Sequence, residues 1–154
     1  MVDVLRGIEP RLKDLIVLSH QETPMIYGAL GGKTPIPISL MGEGVARMLS
    51  IAMAMVNTKG GSVLIDEIEN GLHYSILPGL WKMIIEIARQ LNVQVFAATH
   101  SDECIQAASE YVQANQSQDD LRLYRLDRLQ DGTRVVDYSA KTLAAAIDAE
   151  IEVR

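Results

Sequence analysis

The sequence predicts an α/β domain in which two short strands run parallel on either side of a long crossover helix. Three observations predict it. Residues 63–65 (Val-Leu-Ile) form a short continuous apolar run between Gly60-Gly61 and a pair of acidic residues, the pattern of a strand buried on both faces. Residues 93–99 (Val-Gln-Val-Phe-Ala-Ala-Thr) read as a second buried strand. Between them Ile76, Leu80, Ile84, Ile87 and Leu91 recur at spacings of four, four, three and four, one stripe of an amphipathic helix. A strand, helix, strand order implies a parallel pair joined by a right-handed crossover.

Composition bounds the rest. At 154 residues the chain has room for one domain, and a hydrophobic content of 48% gives it a core to bury. Its single cysteine, Cys104, excludes a disulfide framework and a multi-cysteine zinc site. A net charge of -6 argues against a generally basic, phosphate-coating surface. No run of eighteen apolar residues is present, and residues 1–15 lack the apolar stretch of a signal peptide. A soluble, cytoplasmic domain with no membrane partner is the expectation.

The elements follow in order. Leu12, Leu15 and Ile16 suit a short amphipathic helix over residues 8–18 opened by Glu9-Pro10, although residues 15–18 (Leu-Ile-Val-Leu) equally suit a strand. Residues 25–38 alternate apolar stretches with Gly and Pro, as one or two short strands or an irregular hairpin would. Between Gly44 and Thr58 the only charge is Arg47. Val45, Met48, Leu49, Ile51, Met53, Met55 and Val56 run all round the helical wheel, which predicts a deeply buried helix. Ser75 is the expected N-cap of the long helix, with Pro78 in its first turn. A third helix is expected over about residues 101–115, and its acidic character argues against a DNA-facing role. Residues 121–126 and 133–138 flank Asp131-Gly132 as a hairpin, and an Ala-rich helix closes the sequence. The organisation expected is one domain over residues 1–154: a lead-in helix and short strands (1–38), a central segment (39–115), then hairpin and helix (116–154).

Three constellations carry chemistry. The first strand ends in Asp66-Glu67. A buried strand fixes its C-terminal tip at the crevice where α/β sheets bind ligands. There one carboxylate can hold Mg²⁺, largely through water, while the other orients or deprotonates an attacking water. Thr99-His100-Ser101 lies at the tip of the second strand, thirty-three residues from Glu67 to His100, so a parallel pair predicts that Asp66, Glu67 and His100 converge. Met41-Gly42-Glu43-Gly44 opens the helix carrying Arg47, and glycines at a helix start expose N–H groups suited to an anion. His20 has no such company and receives no role.

Together, Gly42-Glu43-Gly44-x-x-Arg47, residues 64–73 (Leu-Ile-Asp-Glu-Ile-Glu-Asn-Gly-Leu-His) and residues 94–101 (Gln-Val-Phe-Ala-Ala-Thr-His-Ser) resemble the C-terminal half of an ABC-type ATPase core. More narrowly, they resemble the prokaryotic AAA-type ATP-binding proteins related to the overcoming-lysogenization-defect nucleases, over roughly residues 36–108. The resemblance implies a phosphate-loop NTPase-like, three-layer α/β/α fold with a mostly parallel sheet, present here as a partial core. It implies ATP and Mg²⁺ as ligands. Asp66 would be the Walker B magnesium carboxylate, Glu67 the catalytic glutamate and His100 the switch histidine that senses the γ-phosphate. Residues 70–73, with Asn70, Gly71 and His73, would be the D-loop facing a partner subunit. Met41, Gly42, Glu43 and Gly44 would be the signature loop, offered in trans to the ATP of the other subunit in a head-to-tail dimer. Met41 stands where transporter signatures have serine, with Ser39 close by. His73 stands where transporters have aspartate, though histidine is usual in the narrower family.

Such an ATPase needs G-x-x-x-x-G-K-[ST] running straight into a helix. The nearest segment, residues 28–34, has three residues between Gly28 and Gly32 instead of four, Tyr27 at the first glycine position, and Pro35 and Pro37 just beyond. In the family the loop belongs to an N-terminal half, on a central strand beside the switch strand. The chain therefore reads as a lobe that is inactive alone and works as a homodimer or with a partner chain carrying the phosphate loop. Nucleic acid would be met only through a larger assembly. Two other classes stand beside this one: a non-catalytic module that binds a partner chain, and a metal-dependent nuclease or phosphatase on Asp66, Glu67, Glu69 and His73.

Overall fold

Antiparallel pairing organises the first forty residues. The computed structural model describes residues 2–154 other than Ile8, Gln21, Glu22 and Lys33. After a single helical turn, α1 (Val2–Leu5), strand β1 (Asp14–His20) pairs along its length with β2 (Thr23–Ala29), Asp14 opposite Ala29 and His20 opposite Thr23. The helix expected over residues 8–18 is absent from the described part of that span; Ile8 lies outside the described residues. Branched Ile16 and Val17 favour extended backbone, and β2 supplies the cross-strand partners that an isolated helix would lack. The two-residue β3 (Ile36–Pro37) adds to the other edge of β2, so the order is β1-β2-β3.

A 3₁₀ turn (Ile38–Leu40) leads into α2 (Glu43–Asn57). Val45, Met48, Leu49, Ile51, Ala52 and Met55 are buried, whereas Met53 and Val56 are exposed. The helix is thus covered on one side only, and not all round as its apolar wheel predicts.

The predicted parallel pair forms. Strand β4 (Ser62–Ile65) lies beside β5 (Gln94–Ala97), from Ser62 opposite Gln94 to Ile65 opposite Ala97, with α3 (Leu77–Leu91) as the crossover. Ser75 does not cap α3. It lies in a 3₁₀ turn (Tyr74–Ile76), where the His73 ring takes the Ser75 N–H, and Pro78 sits in the first turn of α3 as expected.

One face of the pair departs from the expectation. Val63 and Ile65 are buried against α2 and α3, but Leu64 is 79% exposed and Phe96 52% exposed. Among the described residues no helix covers that second face.

Helix α4 (Asp102–Ala114) is capped by Ser101, whose Oγ accepts the Cys104 N–H at 3.1 Å. A 3₁₀ turn (Gln118–Asp120), the hairpin β6 (Arg122–Leu129) and β7 (Gly132–Ser139), and α5 (Ala140–Asp148) follow. The main core runs from Leu5 to Ala108, while the last third packs through two small clusters, one of Ile105, Leu143, Ala146 and Val153 and one of Ile85, Val112 and Ala140. A groove of about 1260 Å³ lies between them, bounded by residues 93–99 on one side and 119–124 on the other, with Trp81, Ile84 and Ile105 among its lining. Among the described residues no helix is long and apolar enough to cross a membrane.

Candidate functional site

The site is built at the C-terminal tip of β4 and β5. Beyond the paired residues, the Ala98 N–H donates to the Ile65 carbonyl at 2.8 Å and the Ile68 N–H donates to the Ala98 carbonyl at 3.0 Å. The chain thus leaves β4 through Asp66 and Glu67, turns, and returns to the end of β5. Glu67 takes a left-handed conformation with φ +45, which costs a non-glycine residue about 1–2 kcal/mol and persists only where its surroundings impose it. The Asp66 Oδ1 accepts the Glu67 N–H at 3.1 Å, and Asn70 Nδ2 reaches Glu67 Oε2 at 3.4 Å. Both carboxylates are exposed.

Arg47 holds this turn from outside. Its Nη2 donates to the Asp66 carbonyl at 3.1 Å and to the Glu67 carbonyl at 3.2 Å, while its Nε is buried without a partner. The helix that begins at Gly42-Glu43-Gly44 is therefore tied to the acidic turn within the same chain. Gly42 precedes α2 at φ +102. Gly71 sits at φ +75, a conformation that favours glycine, with the Glu43 side chain 2.8 Å from where a Cβ would lie. Gly44 lies against Leu72 and Ile76. Met41 turns its thioether towards Gly28, where a Cβ would meet Sδ at 2.5 Å, so this side chain packs on β2. His73 Nδ1 takes the Ser75 N–H at 3.3 Å and lies 2.9 Å from Ser75 Oγ, a local capping role.

His100 stands at the same edge as Asp66 and Glu67, as the parallel register requires. Among the described residues neither carboxylate hydrogen-bonds to it. The direct tie is Glu69, whose Oε1 accepts the His100 N–H at 3.0 Å. Glu69 Oε2 is buried with no hydrogen-bond partner. Burial works against the Glu69 charge, yet its own backbone N–H, the adjoining Thr99 hydroxyl and the His100 N–H outweigh that and hold its pKa below the ordinary value. Burial, with the Glu69 charge also raising it, pushes the Cys104 thiol up, so this cysteine stays an inert core residue. Arg154 closes the far side, its Nη1 donating to the His100 carbonyl at 3.1 Å and its Nε 3.3 Å from Asp102.

Three of these ties were not legible in the sequence: Arg47 to the acidic turn, Glu43 against Gly71, and Glu69 to His100. Each links segments far apart in the chain, and no local pattern reports such a contact.

Among the described residues no group of three or more Asp, Glu, His or Cys side chains is arranged to hold a metal ion. Residues 28–34 do not open a helix. Gly28 lies within β2 opposite Leu15 and Ile36, β3 and a 3₁₀ turn come next, and Lys33 is outside the described residues.

Comparison with known proteins adds the family. The model described as "AAA domain, putative AbiEii toxin, Type IV TA system" matches residues 3–105. The chain belongs to this AAA domain family. The match takes in the tip of the parallel pair and stops within α4, so the hairpin and α5 lie outside it. The chain is 35% identical over 83 residues, 52% of its length, to an ATP/GTP phosphatase of Helicobacter pylori. The chain is also 39% identical over 71 residues, 46% of its length, to the uncharacterized protein MJECL11 of Methanocaldococcus jannaschii. The matched segments span 22% and 62% of those two proteins.

Among solved structures the AAA domain resembles an SMC ATPase from work on ATP-driven dimerization and DNA-stimulated activation, with TM-score 0.64 and 14% identity over 97% of this chain and 87% of that one. It also resembles an Smc head bound to the C-winged helix domain of ScpA, with TM-score 0.63 and 16% identity over 94% of this chain and 42% of that one. An Smc head bound to the C-terminal domain of ScpA, derived from Pyrococcus furiosus, gives 0.62 at 16% identity, covering 97% and 36%. At such identities the likeness concerns the fold. The AAA domain has an ATPase-type phosphate-loop fold, α/β with a parallel pair and flanking helices.

Proposed function

We propose that residues 1–154 form one lobe of an ATP-hydrolysing core of the ABC type, in the branch related to the overcoming-lysogenization-defect proteins, whose phosphate loop comes from outside these residues. Glu67 orients or deprotonates the attacking water, and His100 contacts the γ-phosphate. Met41, Gly42, Glu43 and Gly44 face a nucleotide held by a partner, and Asn70, Gly71 and His73 face the partner itself. The carrying observation is the double tie at the strand tips, Arg47 on the carbonyls of Asp66 and Glu67 and Glu69 on the His100 N–H, which makes three separated segments one unit.

Mg²⁺ suits this donor set. Asp66 offers an exposed hard oxygen, Oδ2, that takes no hydrogen bond among the described residues, and Mg²⁺ in phosphoryl-transfer sites is bound by one or two carboxylates, water and substrate phosphates instead of a protein cage. When bound, the ion neutralises charge on the phosphates.

The open side of β5 supports an external phosphate loop. Gln94 and Ala98 donate towards β4, to the Gly61 and Ile65 carbonyls, so the alternating Val95 and Ala97 groups face the other way and have no partner among the described residues. A further parallel strand fits the groove between β5 and β6 and would end at the same tip as Asp66 and His100. The ATP/GTP phosphatase relative and the ATP-driven dimerization of SMC ATPases favour nucleotide-coupled association.

Phosphate release from Mg²⁺-ATP tests this. The chain alone releases none; with a polypeptide carrying the phosphate loop it turns over, and Glu67→Gln cuts that rate about 10²–10⁴-fold. Robust turnover by the chain alone that vanishes in Glu67→Gln contradicts the proposal. Association with the partner without any turnover establishes the second reading, a non-catalytic interaction module, which the exposed Leu64 and Phe96 favour.

A further inference from the structure

The acidic turn and the His100 segment are joined by main-chain pairing and by the side chain of Glu69, which also meets the Thr99 hydroxyl. The Ile68 N–H to Ala98 carbonyl bond is ordinary main-chain pairing that any residue provides. The second tie depends on Glu69: its carboxylate, half-withdrawn from solvent, accepts the N–H of His100 across thirty-one residues of sequence. A hydrogen bond to a charged acceptor is roughly twice as strong as a neutral one. Around it the Thr99 hydroxyl accepts the Ser101 N–H at 3.1 Å, which fixes the next residue as the cap of α4. The titratable groups facing Glu69 are His100 at the end of β5 and Cys104 in the first turn of α4, with Arg154 and Asp102 on the far side of His100.

We infer that Glu69 is a positioning residue that sets His100 from the acidic turn, so that a displacement of residues 66–72 is passed to the histidine through its backbone N–H. The inference rests on the proposed role of His100 at the γ-phosphate. Its mechanical content is independent of nucleotide. Glu69 lies in one short turn with Asp66 and Glu67 before it and Asn70 and Gly71 after it. Asn70 and Gly71 are the residues proposed to meet a partner. Docking there moves the turn, and Glu69 carries that movement to His100. Arg47 restrains the same turn through the carbonyls of Asp66 and Glu67.

The test is nuclear magnetic resonance on the full chain without nucleotide. In the wild type the His100 amide proton shift follows the ionisation of Glu69, with an acid midpoint below the ordinary glutamate range. Glu69→Gln keeps an acceptor, so the amide stays protected, while the acid titration of its shift disappears. Glu69→Ala removes both, and amide exchange at His100 rises about tenfold or more. Unchanged Leu143 methyl resonances show that the fold persists. A His100 amide that neither titrates with Glu69 nor exchanges faster in Glu69→Ala overturns the inference. Loss of the ATPase reading would show in phosphate release and leave these signals untouched, so the two failures are distinguishable.

Discussion

The two long edges of β5 are opposites. Towards β4 the strand is paired along its length, and beyond its end the turn at residues 66–72 is fastened by Arg47, by Glu69, and by Gly71 passing over Glu43. Towards β6 it faces a wide groove, with the Val95 and Ala97 backbone groups unpaired among the described residues and Leu64 and Phe96 exposed on the adjoining face. A sheet edge left open in this way costs specificity unless something covers it. The contrast teaches that side-chain ties hold the turn beyond β4 firmly, whereas the far edge of β5 has no strand partner among the described residues.

The contrast can be broken by substitution. The largest effect belongs to the closed side: Leu80, fully buried in the main core, loses about 2–5 kcal/mol of unfolding free energy as Leu80→Ala, measured by urea denaturation. Leu64→Ala on the open face changes it by about 0.5 kcal/mol or less in the same experiment. Comparable losses at the two positions would mean that the open face is packed in solution. Gly71→Ala comes next. With φ +75 and Glu43 in the way, the extra methyl costs about 1–2 kcal/mol, and the thermal midpoint should fall accordingly. Ser101→Ala removes the cap of α4 and costs about 1 kcal/mol.

A smaller effect is pH-dependent. Glu69 titrates below its ordinary value of 4.5 in the folded chain, so as acid is added the unfolded chain takes up its proton first. Its contribution to stability is whole above about pH 4.5 and declines as pH falls through the folded-state value. Denaturation midpoints followed downward from pH 6 should drop less steeply in Glu69→Gln than in the wild type.

What the sequence disclosed divides along the same line. The β4–α3–β5 unit was legible because its apolar runs and helical stripe are local patterns, and parallel register then put Asp66, Glu67 and His100 at one edge. The β6–β7 hairpin was legible from Asp131-Gly132. Local pattern failed where tertiary surroundings decide. Residues 14–18 have both a helical and an extended reading, and only pairing with β2 selects the strand. Apolar Leu64, Met53 and Val56 predict burial, but burial needs a covering layer that is not encoded in their own segments. Within the site, the residue types were visible in advance and their supports were not. Nothing near Glu69 distinguishes it from its acidic neighbours until His100 is folded against it.

Amide hydrogen exchange along β5 tests the difference between its edges most directly. Gln94 and Ala98, bonded to β4, should be strongly protected, and Val95 and Ala97 should exchange near the rate of an open chain until a phosphate-loop polypeptide is added, when they become protected as well. Equal protection at all four amides in the chain by itself would contradict the account.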